Sequence, residues 1–354
     1  MNAVEIEHIT KTFGTHVAVD DLSLAVPQGS IYGFIGPNGS GKTTTLRMII
    51  RIYHPDGDRG RICVLGEATH GAATDRIGYL PEERGLYKKM KVRDVLRFFA
   101  ELKGRRDHQH AVNTWLDRLD LGDWADKKVE ALSKGMAQKV QFIAAVIAQP
   151  ELVILDEPFT GLDPVNTEVI RQAVLDLRDA GATVLFSTHD MAVAENMCDF
   201  VFMIFNGRKV LDGTLESIQA TYGTDTIRVR MGGDACDVSA IPGVGHVTDF
   251  GRLQELRINE GTDPQHILAA LMQRGPVTHF ELARPSLQDI FVRIAAPDGA
   301  DTDRHDAVRR ATDRHGMIDT GAGGDDLGER GTAEHALRDA APGAALDRRG
   351  HPDA

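Results

Sequence analysis

What this 354-residue chain lacks narrows its function before any motif is read. Cysteine is scarce: Cys63, Cys198 and Cys236 are widely spaced, odd in number and in no metal-ligand pattern. That excludes a disulfide framework and predicts a reducing compartment. Basic charge is not in surplus either, since the formal net charge is -12, which argues against a binder relying on a broad basic surface; no nucleic-acid partner is expected. No run approaches the roughly 18 apolar residues needed to span a bilayer, so any membrane role must come through a partner. The first residues, Met1-Asn2-Ala3-Val4-Glu5-Ile6-Glu7, carry acid early and no apolar core, unlike a secretory signal. What remains is a globular chain whose 42% hydrophobic content supports a real core and more than one domain.

The rest of the chain is organised around Gly36-Pro37-Asn38-Gly39-Ser40-Gly41-Lys42-Thr43-Thr44, which fits G-x-x-x-x-G-K-[ST]. An alternating apolar stretch (Ile31, Gly33, Phe34, Ile35) leads in, and Thr45-Leu46-Arg47-Met48-Ile49-Ile50 continues as a helix. In that context the glycines let successive N–H groups point at phosphate oxygens, and the helix dipole adds positive potential. Lys42 then reaches the β and γ phosphates and the Thr43 hydroxyl holds Mg²⁺. The plainer alternative is a glycine-rich turn before an ordinary helix.

Residues 3 to 35 alternate apolar and polar, which predicts strands feeding the loop. Phe13 sits on their rim, either stacking a nucleobase or serving as a turn aromatic. Short strands follow at residues 61 to 66 and 77 to 81, then a polar connection from Glu82 to Met90 of the kind that is mobile or docks a partner. Residues 91 to 131 switch to helical spacing, and Leu132-Ser133-Lys134-Gly135-Met136 opens a further helix, with Ser133 as its N-cap. Leu152-Val153-Ile154-Leu155-Asp156-Glu157-Pro158 reads as a buried parallel strand with two carboxylates at its carboxyl end, where ligands of α/β sheets sit. One acid can position Mg²⁺ and the next can polarise a water. A last core strand delivers Thr188-His189-Asp190, and a hairpin around Asn206-Gly207 closes the first domain. Residues 224 to 294 read as a small separate α+β unit with helices at residues 265 to 273 and 287 to 294. From about residue 296 the chain has no aromatic residue and predicts a disordered tail.

Taken together, Asp156-Glu157, His189 and the segment from Leu132 to Met136 make the chain resemble an ATP-binding cassette (ABC) ATPase over residues 3 to 218. The fold implied is an α/β P-loop NTPase cassette, a RecA-like core with an antiparallel β subdomain and a helical insertion, plus the small α+β C-terminal domain. The domains expected are a cassette over residues 1 to 220, with its helical subdomain at about 88 to 150, an accessory domain at 221 to 295 and the tail at 296 to 354. The resemblance implies ATP as substrate and Mg²⁺ as cofactor. It casts Phe13 as the adenine-stacking aromatic, Gly36 to Thr44 as the Walker A loop and Asp156 as the Mg²⁺ acid. Glu157 is then the general base, Asp163 a dimer-contacting residue and His189 the switch that senses the γ-phosphate.

In this family two cassettes pair head to tail, and Ser133 and Gly135 would contact the γ-phosphate on the partner's loop. Three positions depart from the common pattern: Lys134 for glycine, Met136 for glutamine, and Glu82 where a Mg²⁺-contacting glutamine is usual. With residues 79 to 87, these departures resemble the exporter branch served by ABC-2 type permeases, including sodium-efflux types, and Pro285-Ser286-Leu287-Gln288-Asp289-Ile290-Phe291 resembles its accessory domain. The expected protein is a cytoplasmic ATPase subunit, peripheral on the inner face of the membrane. It binds a separately encoded integral membrane permease through residues 84 to 102 and pairs with itself or a second cassette. The rivals are a soluble cassette protein acting on ribosomes or DNA, and a nucleotide switch without turnover; Glu157 argues against the latter.

Overall fold

The computed structural model describes residues 1–295 except 58, 69–72, 84, 223–225, 233–237, 252 and 260. The expected tail at 296 to 354, Cys236 and Arg84 therefore lie outside the described residues. In chain order, β1 (Asn2–Phe13), β2 (His16–Pro27) and β3 (Ile31–Ile35) lead to α1 (Lys42–Ile49), then β4 (Arg61–Val64), β5 (Glu67–Ala68) and β6 (Ile77–Leu80). Helices α2 (Val92–Leu102), α3 (His108–Arg118) and α4 (Lys134–Val146) precede β7 (Leu152–Asp156), α5 (Pro164–Asp179), β8 (Thr183–Thr188) and α6 (Met191–Met197). The chain continues through β9 (Phe200–Phe205), β10 (Arg208–Gly213), α7 (Leu215–Thr221), β11 (Thr226–Met231), β12 (Val244–Asp249) and β13 (Gln254–Ile258). It finishes with α8 (Pro264–Arg274), β14 (Val277–Ala283) and α9 (Leu287–Ala295).

The central sheet runs β10-β9-β3-β8-β7-β6, parallel from β9 to β6, with β10 antiparallel on its edge. Its composition follows from being covered twice. Leu152 and Ile154 of β7 face α1 and the antiparallel sheet β2-β1-β4-β5, while Val153 and Leu155 face the α2–α5 layer. A strand with two apolar neighbours has no face for polar residues, hence the unbroken run. The same holds for β3, where Tyr32 joins the expected residues in full burial and donates through its hydroxyl to Asp212 Oδ1 at 2.7 Å. The alternation expected there is replaced by a strand buried on both sides.

Helices α2, α3 and α4 form the insertion, with Val92, Val95, Leu96, Trp115, Leu116 and Phe142 in one core. The C-terminal sheet runs β12-β13-β11-β14, all antiparallel, and packs Ile227, Val229, Leu256 and Ile258 under Ile267 and Leu271 of α8. Helix α9, at the end of this unit, buries Leu287, Ile290 and Phe291 against the cassette, in a core with Ile35, Met191, Ala194 and Met203. Among the described residues no helix is long and apolar enough to cross a membrane.

Candidate active site

The loop between β3 and α1 can be built only from glycine at two positions. Gly36 has φ 154°, and a Cβ there would lie 2.3 Å from the carbonyl oxygen of Ile204; Gly41 has φ 110°, and its Cβ would lie 2.4 Å from that of Ala18. Any side chain would have to displace backbone. The loop thus closes tightly over the end of β9, and Gly207 N–H donates to Ser40 O at 3.0 Å to fasten it. Within it, Lys42 is only 6% exposed. Its Nζ donates to Gly36 O at 2.7 Å and Pro37 O at 3.1 Å and lies 3.8 Å from Glu157 Oε1. Burial pulls its pKa down, while Glu157, Asp156 and Glu82 oppose that. A buried cation folded onto its own loop's carbonyls is poised to exchange them for an anion.

Strands β7 and β8 bring the acids to the same edge. Asp156 is fully buried, and its Oδ1 accepts from Ser187 Oγ at 2.6 Å and from Thr43 Oγ1 at 3.2 Å. Its Oδ2 is buried without a partner among the described residues. Burial raises the Asp156 pKa against the hydrogen bonds from Ser187 and Thr43. An orphaned carboxylate oxygen beside a threonine hydroxyl fits a hard divalent cation, because such an ion offers the partner that the protein does not.

Glu157 follows in a left-handed conformation, φ 50°. Its N–H donates to Ser187 Oγ at 3.0 Å, its Oε2 accepts from Thr160 Oγ1 at 3.3 Å, and its Oε1 lies 3.0 Å from His189 Nδ1. The hydrogen bond to Glu157 raises the His189 pKa above the ordinary histidine value, with burial opposing. Glu82 lies on the exposed rim, where loss of solvent, then Asp156 and Glu157, push its carboxyl pKa up.

Lys42, Thr43, Asp156, Glu157 and His189 are therefore brought together, with Glu82 at the edge. Asn38 and Gly39 form the exposed tip of the loop, and Thr44 lies in the first turn of α1. Phe13 stands apart at the end of β1, 43% exposed, edge-on to Tyr53 at 5.3 Å between centroids and with Lys11 Nζ 5.7 Å from its ring. Ser133 is exposed and Gly135 half-buried at the start of α4, where a Cβ on Gly135 would lie 3.6 Å from Leu162 Cδ2. Ser133 Oγ does accept from Met136 N–H at 3.2 Å as an N-cap. Asp163 likewise caps α5, accepting from Asn166 N–H at 2.9 Å.

Sequence reading missed three supporting residues. Ser187, the polar member of an otherwise apolar stretch of β8, ties both acids together. Gln141 of α4 is 5% exposed and donates to Pro81 O at 3.0 Å and Glu83 O at 3.1 Å, gripping the backbone on either side of Glu82. Gln138, one turn earlier, donates to Pro158 O at 3.1 Å. The signal available was a pair of glutamines three residues apart on a helix that is otherwise rich in apolar residues. Buried amides on a core-facing helix need partners, and here the partners are the loops around the acids.

Comparison with known proteins agrees with this geometry. Residues 19–160 match the ABC transporter family, and residues 213–295 match the C-terminal domain of ATP-binding protein DrrA1-3-like proteins. The uncharacterized ABC transporter ATP-binding protein YhaQ of Bacillus subtilis (strain 168) is 42% identical over 289 residues, covering 81% of this chain and 96% of that protein. Nod factor export ATP-binding protein I of Sinorhizobium fredii (strain NBRC 101917 / NGR234) is 33% identical over 308 residues, covering 84% and 88%. A solved structure of the ATP-binding subunit of an ABC transporter superposes with a TM-score of 0.59 at 30% identity, covering 62% of this chain and 93% of that one. A nearly full-length relative at this identity settles kinship: the chain belongs to the ATP-binding proteins of ABC transporters, which are ATPases, and carries a DrrA-like C-terminal domain.

Proposed function

We propose that this chain is the ATP-hydrolysing subunit of an exporter, driving a separately encoded ABC-2 type permease from the inner face of the membrane. The observation that carries the reading is the contact of Glu157 with both Lys42 and His189 at the mouth of the glycine loop. A phosphate-binding cation, a carboxylate and an imidazole within one another's reach are the parts that hydrolysis of a γ-phosphate needs. Export is supported by the relative named for Nod factor export.

In this reading Gly36 to Thr44 wrap the phosphates with backbone N–H groups, and Lys42 gives up its bonds to Gly36 O and Pro37 O to pair with them. Thr43 and Asp156 would hold Mg²⁺, with Glu82 at the rim, and there it would supply neutralisation of phosphate charge. Glu157 accepts the proton of the attacking water, oriented by Thr160 and His189. Phe13 and its neighbour Tyr53 offer an aromatic surface to the adenine. Ser133, exposed at the start of α4, and Gly135, two residues on, complete the site of a second cassette, so that the working form is a dimer.

The permease is expected at the exposed aromatic patch that follows Glu82. Tyr87 is 52% exposed and meets Phe98 edge-on at 5.6 Å, with Leu102 of the same helix also exposed. Such a patch on a helical insertion, adjacent to the nucleotide site, suits a protein partner. The test is co-expression with a candidate ABC-2 type permease. The pair should co-purify from membranes, and Tyr87→Ala with Phe98→Ala should release the chain while leaving its own ATP turnover intact. Recovery only as a free protein, with hydrolysis indifferent to the permease, would sink the proposal.

A further inference from the structure

Helix α6 follows His189 directly and has only seven residues. Its cap Asp190 accepts from Ala192 N–H at 3.0 Å and Val193 N–H at 3.2 Å, and the Asp190 N–H donates to Thr188 Oγ1 at 3.0 Å. The imidazole is thus strung between the end of β8 and a helix too short to hold itself together. Tertiary packing must fix α6, and a large part of that packing comes from α9, 92 residues further along the chain.

Leu287, Ile290 and Phe291 of α9 are buried in one core with Met191 and Ala194 of α6 and with Ile35, the residue before Gly36. Phe291 meets Phe205 of β9 edge-on at 5.6 Å between centroids. The start of α9 is locked as well: Leu287 N–H donates to Glu195 Oε1 on α6, and Asp289 N–H donates to Ser286 Oγ at 3.1 Å. Gln219 Nε2 of α7 donates to Pro285 O at 3.0 Å, so the chain leaving the accessory sheet is tied down on its way in. The accessory domain is consequently joined to the cassette at both its ends, by α7 before β11 and by α9 after β14.

We infer that α9 is a brace for the switch segment, in which Glu195, Leu287 and Phe291 act as positioning residues that hold α6, and through it His189, against Glu157. The inference rests on the catalytic reading of Glu157 and His189 given above. Its physical content is that α9 supplies a large share of the apolar backing of α6, beside Ile35 of β3 and Met203 of β9, and that imidazole placement depends on that share. Reacting groups tolerate little displacement, and a shift of about 1 Å is enough for a hundredfold loss. Through this brace, a load on the accessory domain reaches the hydrolysis step without touching the nucleotide.

The test uses the full chain with Phe291→Ala, Glu195→Ala, Glu195→Gln and, as a control in the accessory core, Ile267→Ala. Turnover, nucleotide affinity measured without turnover, and amide hydrogen exchange of residues 188 to 197 are compared. F291A and E195A should lower kcat about tenfold, a partial misplacement on the scale above. Both should leave nucleotide affinity unchanged and speed exchange in α6. E195Q, whose amide oxygen still accepts from Leu287 N–H, should restore the native rate, and I267A should alter neither kcat nor α6 exchange. Native kcat in both F291A and E195A overturns the brace, as does an I267A variant that slows turnover equally. His189→Ala separates the two ideas: full turnover in H189A removes the catalytic reading, whereas a slow H189A beside native rates in F291A and E195A removes only the brace.

Discussion

Strands β3, β7 and β8 of the cassette sheet are buried along their whole length, whereas β12 and β14 of the accessory sheet are half-buried or exposed at nearly every position. The first sheet is covered on both faces, so its strands carry apolar residues and push polar chemistry to their carboxyl ends. Gly36, Asp156, Glu157 and His189 follow from that exclusion. The second sheet is covered by α8 on one face only and spreads its charged side chains over the other; Arg228 pairs with Glu255 across two strands at 2.7 Å, for instance. A sheet with an open face has no need to gather its polar groups. The difference predicts that the two regions fail differently when damaged.

The largest effect should come from Glu157→Gln, which keeps shape and removes the proton acceptor. Phosphate release is expected to fall on the order of a thousandfold, within the range for a lost general base, while nucleotide binding by fluorescence persists. Equal turnover in that variant would refute the assigned base. On the accessory side, Ile267→Ala should cost about 2–5 kcal/mol of stability in denaturant unfolding of its domain yet leave hydrolysis alone. A parallel loss of turnover would erase the contrast.

Gln141→Leu tests whether the helical insertion is part of the site or merely near it. Pro81 O and Glu83 O lose their donor, a cost of about 1–3 kcal/mol for buried groups left unpaired. Turnover should fall and the Mg²⁺ concentration needed for half-maximal rate should rise, because the loop carrying Glu82 is no longer held. The smallest effect is a titration. His189 observed by NMR should ionise above the ordinary histidine value of about 6.5, because its partner is Glu157. The native state gains from this pairing below that ordinary value and loses the gain as pH rises through the elevated one. In the Glu157→Gln variant the midpoint should move back down.

The contrast also marks what could be read without coordinates. The glycine loop, the strand ending in Asp156-Glu157 and the strand delivering His189 were legible because each is contiguous and each pattern has a local physical cause. Ser187 and Gln141 were not, since their roles arise from register and from packing between segments 30 and 58 residues apart. The periodicity of α9 announced a helix with one apolar face, but a face does not name its partner, and here that partner is the cassette. Ser133 and Gly135 were legible as the start of α4, whereas the counterpart proposed for them is on a second chain, which one sequence does not specify.

The left-handed backbone at Glu157 carries a last consequence, for how such a protein drifts. A residue with a Cβ in that region stores about 1–2 kcal/mol of strain that glycine or asparagine would largely release. Under selection for folding alone, position 157 is therefore under pressure to abandon its acid. Under the role proposed for Glu157, a duplicated copy freed from transport should lose hydrolysis first at this residue and become more stable as it does so.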